Sequence, residues 1–274
     1  MTIASSGPRP LASALARHRP LFVNLLKREI RQRYKGSSLG LLWTFIAPLT
    51  MMVAYSALFH YVFRVVDVHD YALFFLTGMT VWILFAGSAQ VGSQSLVTNA
   101  NLIKKVRFPR ELIPLSVVGG QAVTALAMVA ILIPVNLIVV PDSRHPALVL
   151  APVLFALLAV MSFGFTLIVA ALNVYFRDVE HILGALLLPW FFLTPIFYTP
   201  ELLPEGAERF QWLVDVLDWG NFVAPYVYVA RDTLFFGEWP DPAQLGYCAI
   251  AAAAFFALGA WVFRRLEGEM AVEL

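Results

Sequence analysis

Three sets of side chains in this sequence have the types and spacing to do chemistry. The first is basic. Leu21, Phe22, Leu25 and Leu26 share one helical face, while Lys27, Arg28, Arg31 and Lys35 form a narrow stripe on the opposite side. A helix so patterned lies in a membrane interface. Its cations have two readings: attraction to anionic headgroups, worth about 1 kcal/mol each, or recognition of a phosphate-bearing ligand through the arginine fork. The second set is aromatic. Trp190, Phe191, Phe192, Phe197 and Tyr198 fall in one apolar run, and Trp43, Phe45, Tyr55 and Phe59 in another. Aromatic faces carry partial negative charge and pack on apolar or C–H-bearing surfaces. Sugar rings present such surfaces, and so do lipid chains and neighbouring helices. The third set runs from Asn101 to Leu112, where Lys104, Lys105, Arg107 and Arg110 face one acid, Glu111. This amphipathic stretch suits a groove on a soluble partner, or a plain basic connector.

Other chemistry is excluded or weak. No Gly-x-x-x-x-Gly-Lys-Ser/Thr loop is present to cradle ATP, and no His-Glu-x-x-His to hold zinc. Asp215 and Asp218 have the spacing of paired acids in metal-dependent lipid-phosphate transferases, but the accompanying glycine, arginine and further acids are missing. They read as a solvated acidic loop, and no metal is expected. The single cysteine, Cys248, supports neither an internal disulfide nor a metal site. Proton- and ion-coupled pumps generally carry ionisable groups inside their spans. Here Leu112–Val140, Ala147–Phe176 and Leu245–Phe263 contain no Asp, Glu, Lys or Arg. Any uphill movement therefore draws its energy from another subunit.

The elements that position these residues are membrane helices. The chain of 274 residues is 60% hydrophobic and 14% charged, with mean hydropathy +0.75; average soluble chains are about 25% charged. A span needs about 20 apolar residues. Six runs are expected to serve: 39–63, 71–91, 112–140, 147–176, 182–198 and 245–263. They predict an all-α integral membrane protein with one transmembrane domain, 39–274, behind an arm and interface helix at 1–38. No cleavable signal peptide is expected, because the first apolar run starts too far in. Pro20 suits the first turn of the interface helix and Gly36 its stop. Segment 199–244 is acidic and holds two apolar pieces too short to span, which predict re-entrant helices. Lys and Arg favour the cytoplasmic side. The N-terminal arm and the loops after spans two and four are basic, so both termini are expected in the cytoplasm and 199–244 outside.

Several stretches carry a family resemblance. Arg33-Tyr34-Lys35-Gly36-Ser37-Ser38-Leu39-Gly40-Leu41-Leu42-Trp43, followed by Pro48, resembles the opening of the membrane subunits of polysaccharide-exporting ABC transporters of the ABC-2 type. Asn101-Leu102-Ile103-Lys104-Lys105-Val106-Arg107-Phe108-Pro109 is similar to their first cytoplasmic loop. Asn173-Val174-Tyr175-Phe176-Arg177-Asp178-Val179 resembles the junction between spans four and five, and Leu193-Thr194-Pro195-Ile196-Phe197-Tyr198 the end of span five. One departure is visible: the family often has Asn-Pro in the outer segment, whereas Asn221 and Pro225 are separated here by Phe222-Val223-Ala224.

The resemblance implies a homodimer forming one channel, two copies of a separate soluble ABC ATPase that bind the ATP and magnesium, and export of a lipid-pyrophosphate-linked glycan across the inner membrane. It implies no enzyme activity and no cofactor in this chain, and no nucleic-acid partner. Asn101, Lys104, Lys105, Arg107, Phe108, Pro109 and Arg110 would contact the ATPase, with Arg177, Asp178 and Glu180 as a second contact. Arg31, Arg33 and Lys35 would lie near the pyrophosphate or the lipid headgroups. Trp43, Tyr55, Trp190, Phe191, Phe197 and Tyr198 would line the glycan path, with Pro189 and Pro195 bending the fifth span beside them. O-antigen is the first expected cargo, with capsule and teichoic acid next. A secondary transporter or flippase acting alone, and a membrane-embedded lipid-modifying enzyme using Asp215 and Asp218, are the competing classes.

Overall fold

The computed structural model of this chain describes residues 15–36, 42–57, 70–140, 146–198 and 216–274. Every regular element among them is helical. In chain order these are α1 (Arg19–Tyr34), α2 (Trp43–Ser56), α3 (Tyr71–Thr98), α4 (Ala100–Lys105), α5 (Leu112–Val139), α6 (Ala151–Tyr175), α7 (Val179–Leu193), α8 (Ala224–Arg231), α9 (Pro242–Leu266) and α10 (Met270–Glu273). A 3₁₀ turn, Pro146–Leu150, leads into α6, and π-helical turns occupy Val216–Gly220 and Asp232–Phe236.

Local chemistry accounts for the boundaries. Pro20 lies in the first turn of α1, and Gly36, at φ +80°, follows its end. Asp241 caps α9 by accepting from the Ala243 amide at 2.9 Å. Helix α3 runs seven residues past the expected end of the second span, to Thr98. Its serines cost nothing there, because Ser93 donates to the Gln90 carbonyl and Ser95 to that of Gly92. The polar stretch that follows is partly helical, as α4. In the other direction, α7 stops at Leu193, short of the expected Tyr198. Thr194 precedes Pro195, a position that disfavours the α region, and it is extended at φ −89°, ψ 133°.

Among the described residues, four helices are long and apolar enough to cross a membrane: α3, α5, α6 with its leading turn, and α9. The apolar α2 and α7 are shorter. At 1.5 Å per residue, 15 residues of α7 cover about 22 Å of a hydrocarbon core about 30 Å thick. Parts of the expected first span (39–41 and 58–63, including Phe59) and of the acidic segment (199–215, including Asp215) lie outside the described residues.

Helix α6 stands at the centre, packed on α9, α3 and α5. Its backbone nearly touches that of α9, since Gly164 and Gly259 face each other. One buried apolar cluster fills the half of the bundle around Phe74, Phe85, Leu158 and Tyr226; a second surrounds Leu25, Leu112, Ala170 and Phe263. Helix α1 lies along α5 and sends Leu25 into the second cluster. That end also gathers α4, the α6–α7 junction and α10, and is rich in Lys and Arg. The opposite end is tied by Tyr71 donating to the Phe197 carbonyl (3.0 Å), Asn136 to Leu234 (2.9 Å) and Tyr226 to Cys248 (2.6 Å).

Candidate functional site

The basic stripe divides in two. Lys27, Arg28 and Arg31 are exposed on α1 and Lys35 just past its end, with Arg28 reaching the Asn99 side chain. Arg33 instead turns toward the bundle. Its Nη1 donates to Gln121 Oε1 at 2.8 Å and lies 3.5 Å from Thr124 Oγ1, and its Nη2 pairs with Glu29 Oε1 at 3.2 Å. Gly120 leaves room for this pair, because a Cβ there would stand 3.0 Å from Glu29. Arg33 also lines one side of an apolar cleft of about 320 Å³. The other walls are Trp43, Ala47, Pro48 and Met51 of α2, Met79 and Ile83 of α3, and Thr124 of α5. An apolar slot with one cation at its edge suits an amphiphile whose head carries negative charge. Gln121 and Thr124 were passed over in the sequence because no charge marks them. Their signal was two polar residues, three apart, within a span that holds no charged residue. Glu29 was the lone acid in a basic helix, four residues before Arg33.

At the basic end, Asn101, Lys104, Lys105 and Arg107 are exposed, as are Arg177 and Asp178. Phe108 is half-buried against the second cluster, and Pro109 is half-buried beside it. Arg110 turns inward to the main-chain carbonyl of Glu267. Glu180 is held within the chain as well: its amide donates to Asn173 Oδ1 (3.1 Å), its carboxylate accepts from Asn173 Nδ2 (3.4 Å), and its carbonyl accepts from Gln90 (3.5 Å). Glu111 lies 4.0 Å from Arg264. Burial, then the nearby Glu267 carboxylate, hold it above the usual carboxylate range, with Arg264 opposing.

The aromatic set forms one internal cluster more than a lined surface. Phe191 and Phe197 are buried. Tyr55 stacks on Phe197 at 5.9 Å and lies 6.1 Å from Phe191, which also meets Trp82 at 5.6 Å. Trp190 is half-buried, and its Nε1 donates to Asn221 Oδ1 at 2.9 Å. Tyr198 is half-buried. Trp43, at the mouth of the cleft, is 53% exposed, and Phe192 is 43% exposed. The free face of α7 is therefore Ile182, Leu186, Leu188, Phe192 and Leu193.

Two residues of the opposite end organise this cluster. Asn221 accepts from Trp190 and from the Val223 amide (3.1 Å) and donates to Thr194 Oγ1 (2.9 Å). Arg231, 1% exposed, donates to the Ile196 carbonyl (2.7 Å) and the Tyr198 carbonyl (3.2 Å) and stacks 3.6 Å over Phe74. Both fasten the bend after α7 to α8. Asp218 accepts from Tyr228 at 2.5 Å. No cluster of potential metal ligands occurs among the described residues.

Residues 20–235 match the family model described as ABC-2 type transporter. The chain belongs to the ABC-2 type transporter family. An O-antigen export system permease protein, RfbA, of Myxococcus xanthus is 35% identical over 202 residues, 73% of this chain and 76% of that protein. The protein of the same name from Klebsiella pneumoniae is 31% identical over 221 residues, 77% of this chain and 84% of its own length. The polysialic acid transport protein KpsM of Escherichia coli is 24% identical over 251 residues, covering 90% of this chain and 93% of that one. With its apolar helices, the ABC-2 membership makes this a multi-pass membrane protein.

Proposed function

We propose that this chain is the membrane subunit of an ATP-driven exporter that moves a lipid-pyrophosphate-linked polysaccharide out of the cytoplasm, with O-antigen as the favoured cargo. In this reading two copies form one channel in the inner membrane and two copies of a separate ABC ATPase drive it. Six spans put both termini in the cytoplasm, and α8 with its flanking turns is re-entrant from outside. Family membership and relatives named for O-antigen export and polysialic acid transport support the class of function.

The observation that carries the reading furthest is the cleft between α2, α3 and α5. Its apolar walls suit a polyprenyl chain and its one guanidinium suits the phosphate. Arg31, exposed on the same helix, and Lys35 just past its end meet neighbouring headgroups. Asn101, Lys104, Lys105, Arg107, Arg177 and Asp178 are the exposed groups for the ATPase, with Phe108 and Pro109 shaping the loop behind them. Phe192 and Trp43 are the aromatic faces open to the glycan path, with Tyr55, Trp190, Phe191, Phe197 and Tyr198 packed behind.

The test is reconstitution of the chain with and without its ATPase in vesicles holding a lipid-linked glycan, reading glycan arrival in the opposite leaflet. Movement is expected only with ATPase and ATP. Movement without the ATPase would support the secondary-transporter reading instead. Turnover of the lipid that depends on Asp215 and Asp218 would make the chain an enzyme.

A further inference from the structure

The last turn of a helix leaves carbonyls without intrahelical donors. At the end of α9 two consecutive ones are taken by side chains from two different loops. The Leu266 carbonyl accepts from Tyr175 Oη at 2.6 Å, and the Glu267 carbonyl accepts from Arg110. Tyr175 ends α6 at the α6–α7 junction. Arg110 belongs to the loop between α4 and α5. The negative end of the helix dipole favours the guanidinium there. Beyond this point the chain folds back. Met270 is fully buried in the cluster that holds Ile103 of α4, Val174 of α6 and Phe263 of α9, with Phe108 and Leu274 packed against it. Helix α10 packs on both α4 and α6. Glu111 faces Arg264 across the same junction. None of these contacts involves an exposed side chain of the two loops, so the loops remain free to meet a partner on their outer faces.

We propose that the C-terminal end of α9 and the turn after it form a strut that makes the two basic-end loops move as one body, with Tyr175 and Arg110 as its positioning residues. A push on either loop then reaches α9, and through the backbone contact of Gly259 with Gly164 it reaches α6. This gives the C-terminal segment a mechanical role in export. That part rests on the ATPase reading above, whereas the joining of the loops does not.

The experiment therefore has two arms, using Tyr175→Phe, which removes one hydroxyl, and a chain ending at Glu267, which removes α10. In the first, amide exchange is followed on the full purified chain alone. Losing one hydrogen bond is expected to speed exchange about fivefold, and to do so across 100–112 as well as 173–180. Faster exchange confined to 173–180 would show a local cap and overturn the strut. In the second arm, ATPase recovered with the complex, ATP hydrolysis and surface glycan are measured on the same cells. Recovery and hydrolysis are expected to hold while glycan per ATP falls about fivefold. Glycan and hydrolysis falling in proportion would overturn the mechanical role. If no ATPase is recovered even with the unaltered chain, the exporter reading fails, and the exchange arm still decides whether the loops are joined.

Discussion

The crossing of α6 and α9 offers a perturbation whose size can be worked out. A Cβ on Gly259 would stand 2.1 Å from the Gly164 carbonyl oxygen and 2.9 Å from its Cα. A carbon normally keeps about 3.3–3.6 Å from a carbonyl oxygen, so Gly259→Ala must drive the two backbones apart by more than about 1 Å. Neither partner is a flexible side-chain tip. Overpacking of this kind costs about 1–3 kcal/mol, and rigid surroundings place the cost at the top of that range. The same helix provides a control of opposite sign. Gly246 has nothing within 4 Å of its notional Cβ, so Gly246→Ala there gains about 0.5–1 kcal/mol from backbone entropy alone. The two variants should therefore differ by roughly 3–4 kcal/mol in unfolding free energy. The assay is reversible unfolding of the purified chain in mixed micelles, followed by helical circular dichroism against SDS fraction. Gly259→Ala as stable as the parent, or Gly246→Ala losing stability, would refute the close crossing.

Three further outcomes are expected. Trp190→Phe and Asn221→Ala, combined in a double-mutant cycle under the same unfolding conditions, should show a coupling of about 1 kcal/mol; strict additivity would deny the hydrogen bond a role. Arg33→Gln should cut the rate of glycan export about tenfold, as expected for losing a charge-assisted contact, while the exposed Arg31→Gln changes it little; equal effects would return both to general headgroup attraction. Glu111, raised above its ordinary value mainly by burial and then by Glu267, keeps a proton in the folded chain that the unfolded chain releases. Stability should then fall as pH rises from the ordinary carboxylate value to the raised one. Glu111→Gln should flatten that stretch of a Tm-against-pH curve and be the more stable form above it, and an unchanged slope would contradict the burial.

Much of the fold was legible because hydropathy and length decide it. The runs 112–140, 147–176 and 245–263 match α5, α6 with its leading turn, and α9 within a few residues, since no charged residue interrupts them and caps or prolines bound them. The errors came where local hydrogen bonding overrules composition. Gly92–Thr98 reads as a polar loop, yet Ser93 and Ser95 satisfy their hydroxyls on the preceding turn, so α3 continues. Leu193–Tyr198 reads as the end of a span, yet Pro195 takes Thr194 out of the helix. Asn221 stood out only as a displaced Asn-Pro. Its bonds to Trp190 and Thr194 reach 31 and 27 residues back in sequence, and no local pattern carries that information.

The candidate site was legible by residue type but not by direction, and the cations show why. All four lysines, Lys27, Lys35, Lys104 and Lys105, are exposed. Three arginines that carry the same formal charge turn inward: Arg33 onto Gln121 and Glu29, Arg110 onto the Glu267 carbonyl, and Arg231 onto the Ile196 and Tyr198 carbonyls. A lysine ammonium is a compact, strongly hydrated charge, and burial strips its water. A guanidinium is weakly hydrated and carries five donors in a fixed fork, so neutral oxygens can satisfy it. Counting both as charge gives orientation, because the headgroup region sees only charge. It misleads for contacts, because the arginines are also the residues that can fasten loops and helix ends from within. The inward arginines each hold a junction: α1 to α5, the first basic loop to α9, and the bend after α7 to α8. An arginine in a short basic or outer segment of this family is therefore to be tested first for a carbonyl or amide of its own chain, and only then for a ligand or partner.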